Sequence, residues 1–155
     1  MRICLLFCIF FAGCATRNKT QWHTYDAGPF TFSLPPGFYK TSDSGIDSYV
    51  SKFEGRNMTV SFDFGLYSGN PLDSLREDPN TLQPRPSFVS HVETIIGHQV
   101  QIVSVDFDPN HNSGFRCFIA ASFLNAGLTM TARCKSVGDY EGAKRIFRSV
   151  SFKQR

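Results

Sequence analysis

The sequence predicts a sheet-rich α+β domain, and three observations carry that prediction. Aromatic residues are abundant, 16 of them Phe, and they sit in runs that alternate with polar residues, the period of a half-buried strand. Turn formers such as Pro35-Pro36-Gly37, Gly55-Arg56-Asn57 and Gly97 punctuate those runs. Near the end, one segment changes to helical spacing, with Tyr140, Ala143, Ile146 and Phe147 falling on one face.

Structure is expected to begin near Trp22 and to fill residues 22–155 as one domain, a length that supports a single core. Phe30, Phe32 and Leu34 alternate with Thr31 and Ser33, and Pro35-Pro36-Gly37 ends that strand because proline cannot donate to a ladder. Residues 46–53 and the alternating set Met58, Val60, Phe62, Phe64 and Leu66 form an antiparallel hairpin around Gly55-Arg56-Asn57. From Ser68 to Pro86 four prolines leave an irregular stretch, with a helical turn around residues 72–76. Strands resume at residues 88–95 and 100–106, turning at Gly97. Asp139 reads as the N-cap of a terminal helix running to Arg148, with Lys144, Arg145 and Arg148 at its negative end. Val150 and Phe152 then close the sheet as a last strand.

Between them lies a hairpin with two cysteines. Phe115, Cys117, Ile119, Ala121 and Phe123 form one apolar face, and Leu128, Met130, Ala132 and Cys134 form its partner. A two-residue loop at Asn125-Ala126 pairs Leu124 with Gly127, and counting back sets Cys117 opposite Cys134 at a non-hydrogen-bonded position, about 4.5 Å between Cα atoms. A three-residue loop with a bulge at Gly127 would slip the register by one and expose Leu128, Met130 and Ala132, a cost that outweighs a turn preference. A Cys117–Cys134 disulfide is therefore expected, with two packed thiols as the alternative.

The first residues carry an address. Arg2 precedes a short apolar run, Ile3 to Phe11, well below the about 20 residues that span a bilayer. Phe11-Ala12-Gly13-Cys14 resembles the bacterial lipoprotein processing signal, with Phe where Leu is usual. The resemblance implies that residues 1–13 are removed, that Cys14 takes the lipid, and that residues 14–21 tether the domain to the membrane. Ordinary secretion and a retained leader are the alternatives. Ala15 after the cysteine resembles outer-membrane sorting, which implies a domain facing the periplasm.

Chemistry is sparse. The net charge of +3 falls to +2 once Arg2 is lost, and the scattered basic residues indicate no nucleic-acid surface. Asp106, Asp108, Asn110 and Asn112 have the spacing that opens a calcium loop, but His111 replaces the turn glycine and Cys117 occupies the place of the bidentate Glu. Turn formation explains these residues better. His23, His91, His98 and His111 fall in four separate stretches, and no zinc spacing is present. Neither a Gly-x-Ser-x-Gly elbow nor a phosphate loop occurs. No catalytic residue, metal or cofactor is therefore assigned, and the chain is read as a non-enzyme.

Phe30-Thr31-Phe32-Ser33-Leu34-Pro35-Pro36-Gly37-Phe38, with the segment Ala143 to Phe152 ending in Ser149-Val150-Ser151-Phe152, resembles the Mog1/PsbP-like domains. That resemblance implies an antiparallel β-sheet flanked by helices, an α/β/α sandwich used as a binding or assembly scaffold. The chain departs from the family in being poor in helix between its hairpins. A membrane-anchored envelope lipoprotein that binds another protein is the first functional expectation, with the 68–86 segment and the outer sheet face as candidate surfaces. A small-ligand or metal-ion binding lipoprotein is the second.

Overall fold

A computed structural model describes residues 21–43, 48–65, 88–106 and 114–154. Ten strands lie within them: β1 (His23–Asp26), β2 (Phe30–Leu34), β3 (Tyr39–Asp43), β4 (Tyr49–Glu54), β5 (Met58–Phe64), β6 (Phe88–Ile95), β7 (His98–Asp106), β8 (Cys117–Phe123), β9 (Leu128–Cys134) and β10 (Ser151–Phe152). One α-helix, α1 (Tyr140–Arg148), follows a 3-10 turn at Val137–Asp139. The strands form two antiparallel sheets, a small one in the order β1-β2-β10 and a large one in the order β3-β4-β5-β9-β8-β7-β6.

This corrects the expected helix-flanked α/β/α sandwich. Among the described residues one nine-residue helix is present, and the small sheet shares with it the job of covering the large sheet. The reason lies in β2, whose Phe30, Phe32 and Leu34 are buried while Thr31 and Ser33 are half-exposed, so this strand has one apolar face to hide and hides it on the large sheet. The closing strand is corrected too. β10 pairs with β2, Ser151 opposite Thr31 and Phe152 opposite Phe30, and so belongs to the small sheet.

Aromatic rings join the two sheets. Phe30 and Phe32 both meet Phe62 edge-on, at 5.1 and 5.8 Å between centroids. Phe32 and Tyr25 meet Phe53 at 5.5 and 4.7 Å, and the Tyr25 and Tyr49 hydroxyls lie 3.3 Å apart. Edge-to-face contact suits the ring quadrupole and adds to the area buried. Ala143, Ile146 and Phe147 extend the same core beneath α1, as the helical spacing predicts. On the opposite face of the large sheet Val103, Val105, Phe118 and Ala120 form a second buried cluster.

Asp139 stands at the expected N-cap position of α1, but the capping bond differs. Asp139 makes no side-chain cap bond; instead Ser136 Oγ accepts from the Gly138 N–H at 3.2 Å. The 3-10 turn causes the change, because the Asp139 N–H is already spent on Ser136 O at 3.0 Å and its backbone is in the helical region. An N-cap needs extended backbone, and Ser136 has it.

Helix α1 is latched to the sheet edge at its far end. Arg148 Nε and Nη2 donate to Glu93 Oε1 and Oε2 of β6, at 3.0 and 2.8 Å. The Arg148 hydrogen bonds hold the Glu93 carboxyl below the usual range. A depressed pKa in the folded state means stability present above the ordinary Glu range, near 4.3, and lost as pH falls through the folded value. Arg148 is half-exposed, so screening limits the pair to about 0.5–1 kcal/mol. Glu93→Gln should show that deficit at neutral pH, and the deficit should shrink as pH falls below the ordinary Glu range in denaturant melts.

Candidate functional site

Register decides what the cysteine hairpin can do. Cys117 stands opposite Cys134, and the pairing runs unbroken to Phe123 and Leu128. The loop is two residues longer than expected. Leu124 to Gly127 form four connecting residues, with Asn125 and Gly127 at φ of 67° and 61°. Gly127 has a second constraint: a Cβ there would lie 3.0 Å from Gly65 O, whose own N–H donates to Gly127 O at 2.9 Å. Loops of two and four residues give the same register, so the cysteine pairing survives the difference in turn.

Hydrogen-bond phase does not survive it. Gly65 N–H to Gly127 O and Lys135 N–H to Asn57 O, both 2.9 Å, direct the odd-numbered residues of β9 toward β5. Even-numbered residues, Cys134 included, then bond toward β8, which makes Cys117 and Cys134 a hydrogen-bonded pair rather than a non-hydrogen-bonded one. Such pairs are separated by about 5.5 Å at Cα, inside the range that disulfides span. Both side chains are fully buried and carry free thiols. The Cys117 thiol donates to Ser136 O at 3.2 Å. Donation of the Cys134 S–H toward Cys117, followed by burial, pushes the Cys134 thiol far above its usual pKa.

A row of side chains across the sheet continues from this pair. Asp106 of β7 is opposite Cys117, and Met58 of β5 is opposite Cys134. From α1 above, the Tyr140 hydroxyl donates to Asp106 Oδ1 and lies 2.8 Å from Val105 O. Burial first, and the Asp106 bond second, raise the Tyr140 pKa well beyond the ordinary phenol value. Stability from this hydroxyl is thus complete below pH near 10 and lost as pH rises through the folded pKa. Tyr140→Phe should cost about 1–2 kcal/mol in urea unfolding at pH 7 and should blunt the loss of stability above pH 10.

Asp106 is therefore engaged with Tyr140, while Asp108, Asn110 and Asn112 lie outside the described residues. Among the described residues no group of three His, Cys, Asp or Glu side chains is placed to hold a metal ion. His23, His91 and His98 are on β1, β6 and β7. His98 meets Phe152 at a tilt, 4.6 Å between ring centroids, and His91 faces Glu93 at 3.9 Å. Cys14 and the 68–86 segment also fall outside the described residues. Tyr140 was legible as an apolar-face residue, but its partners were not.

The two edges of the large sheet differ. β3 is interrupted by a register shift between Lys40 and Ser42. β6 pairs with β7 through eight consecutive residues without a break, and among the described residues its other side pairs with no strand. Val89 and Val92 are 57% and 61% exposed along that edge, and Ile96, in the adjoining turn, is 62% exposed. Long regular edges with exposed apolar side chains template pairing with another chain and are usually blunted by charge, proline or bulges.

No family model and no curated protein matches this sequence. Among solved structures, the solution structure of cyanobacterial PsbP (CyanoP) from Synechocystis sp. PCC 6803 is similar at a TM-score of 0.57, covering 92% of this chain and 99% of its own at 12% identity. At that identity the likeness speaks for architecture alone. The two antiparallel sheets and one short helix among the described residues, together with this likeness, give the chain a PsbP-like, β-rich fold.

Proposed function

We propose that this chain is a non-catalytic lipoprotein of the bacterial cell envelope, a protein-binding or assembly module that holds its partner by the β6 edge. Residues 1–13 act as the leader, Cys14 as the lipidated residue and residues 14–21 as the tether. The anchor sits in the outer membrane with the domain facing the periplasm. Support for anchoring comes from Phe11-Ala12-Gly13-Cys14; among the described residues no helix is long and apolar enough to cross a membrane. The observation that carries the binding role is the unbroken β6 ladder with Val89 and Val92 exposed beside it, a surface suited to strand addition. In that oxidising compartment Cys117 and Cys134 form a bridge: a disulfide-class oxidant accepts two electrons, the two thiols lose their protons, and the S–S bond closes.

Anchoring and binding are tested separately. Cys14→Ser should move the protein from the membrane fraction to the soluble fraction, and retention on the membrane would contradict lipidation. Val92→Lys places a charge on the edge without touching the core, so it should abolish recovery of a partner from detergent-solubilised membranes while leaving the melting temperature within about 2 °C. Equal recovery by both forms would contradict the role assigned to β6.

A further inference from the structure

The β6 backbone presents its edge in one phase. Ile96 and Gly97, at φ of 46° and 78°, make a two-residue turn of the mirror-image type, so its closing pair, Ile95 and His98, exchanges hydrogen bonds. One step along, Gln99 O accepts from the Leu124 N–H at 2.9 Å, on the β8 side. Thr94, opposite Gln99, therefore points its backbone away from β7. By alternation the N–H and C=O groups of Ser90, Val92 and Thr94 face outward, while those of Val89, His91, Glu93 and Ile95 bond to β7.

An antiparallel strand added here must match that phase, and β6 itself does. Placed about a two-fold axis through Val92, the sequence sets Val92 against Val92, Ser90 against Thr94 and Val89 against Ile95, and it sets His91 against Glu93 twice. Outward backbone groups then meet outward backbone groups, and an imidazole faces a carboxylate on both sides of the axis. The two neighbouring registers of the same phase are worse. An axis through His91 opposes the two imidazoles and lays Glu93 on Val89, and an axis through Glu93 opposes two carboxylates. The favoured register also covers Val92, which is 61% exposed, with its own copy. We infer that the occupant of the β6 edge is a second copy of this chain, paired antiparallel about Val92 so that the two large sheets join. This rests on the reading of β6 as the binding edge and names what it binds.

Cysteine crosslinking of the full chain in membranes, with copper-phenanthroline as oxidant, tests the register. At a hydrogen-bonded pair the Cα atoms stand about 5.5 Å apart, within disulfide reach, so Val92→Cys should give an adduct of twice the chain's mass. Ser90→Cys and Thr94→Cys should each give none alone and a mixed dimer when co-expressed. His91→Glu opposes like charges at two places and should weaken self-association about tenfold in analytical ultracentrifugation of the full chain in detergent, and mixing it with Glu93→His should restore the pair. A dimer through Ser90→Cys alone, or unchanged self-association of His91→Glu, would overturn the inference. An adduct of Val92→Cys with a different protein would overturn self-pairing and leave β6 as the binding edge, whereas no adduct of any kind would remove both.

Discussion

Phe32→Ala is expected to lower the unfolding free energy by about 3–5 kcal/mol, enough to leave little of a small domain's stability. Phe32 is fully buried and its ring meets Tyr25, Phe30, Phe53 and Phe62. Truncation removes the ring that locks β2 onto the β4-β5 hairpin and leaves a void that rigid neighbours cannot fill. Because β2 also pairs with β1 and β10, the small sheet should lose its seat as a unit. Urea unfolding followed by circular dichroism measures the cost, with Val92→Ala as an exposed control near zero. A loss below about 1 kcal/mol for Phe32→Ala would contradict the packing of the two sheets.

Reduction of the proposed Cys117–Cys134 bridge should cost about 3 kcal/mol, the loop entropy that a short cross-link removes from the unfolded chain. Protein recovered from an oxidising compartment, denatured and alkylated without reductant, should keep both thiols blocked. After reduction it should take up two alkyl groups and unfold at lower urea. Cys117→Ala with Cys134→Ala should match the reduced protein's stability and should not change with reductant. Alkylation of both cysteines without reduction would contradict the bridge and leave a packed thiol pair.

Much of the fold was legible because alternation is a strong signal where one strand face is buried. β2 spans Phe30–Leu34 and stops at the Pro35-Pro36-Gly37 corner. The β4-β5 and β6-β7 hairpins turn where Gly55 and Gly97 stand. Register at Cys117 and Cys134 was legible too, since a slip would have exposed Leu128, Met130 and Ala132. What local pattern could not reveal was partition between sheets. Phe152 alternates like any last strand, and only its opposition to Phe30 places it in the small sheet. The flanking helices came from resemblance rather than from periodicity, and the structure gave the small sheet that place. Asp139 holds the expected N-cap position of α1, but its carboxylate makes no capping bond; the preceding 3-10 turn, capped by Ser136, has no hydrophobic period to reveal it. The candidate sites were least legible. Tyr140 and Asp106 are far apart in sequence and meet only through long-range packing, as do Glu93 and Arg148.

The most direct test of the central claim, that the β6 edge seats a partner, is site-specific photocrosslinking in intact membranes. A photoreactive residue replaces Val92 in one variant and Thr59, on β5 in the interior of the sheet, in another. The account predicts one discrete protein adduct from position 92, lost when Val89→Lys is added, and none from position 59. No adduct from position 92, or the same adduct from both positions, would contradict it.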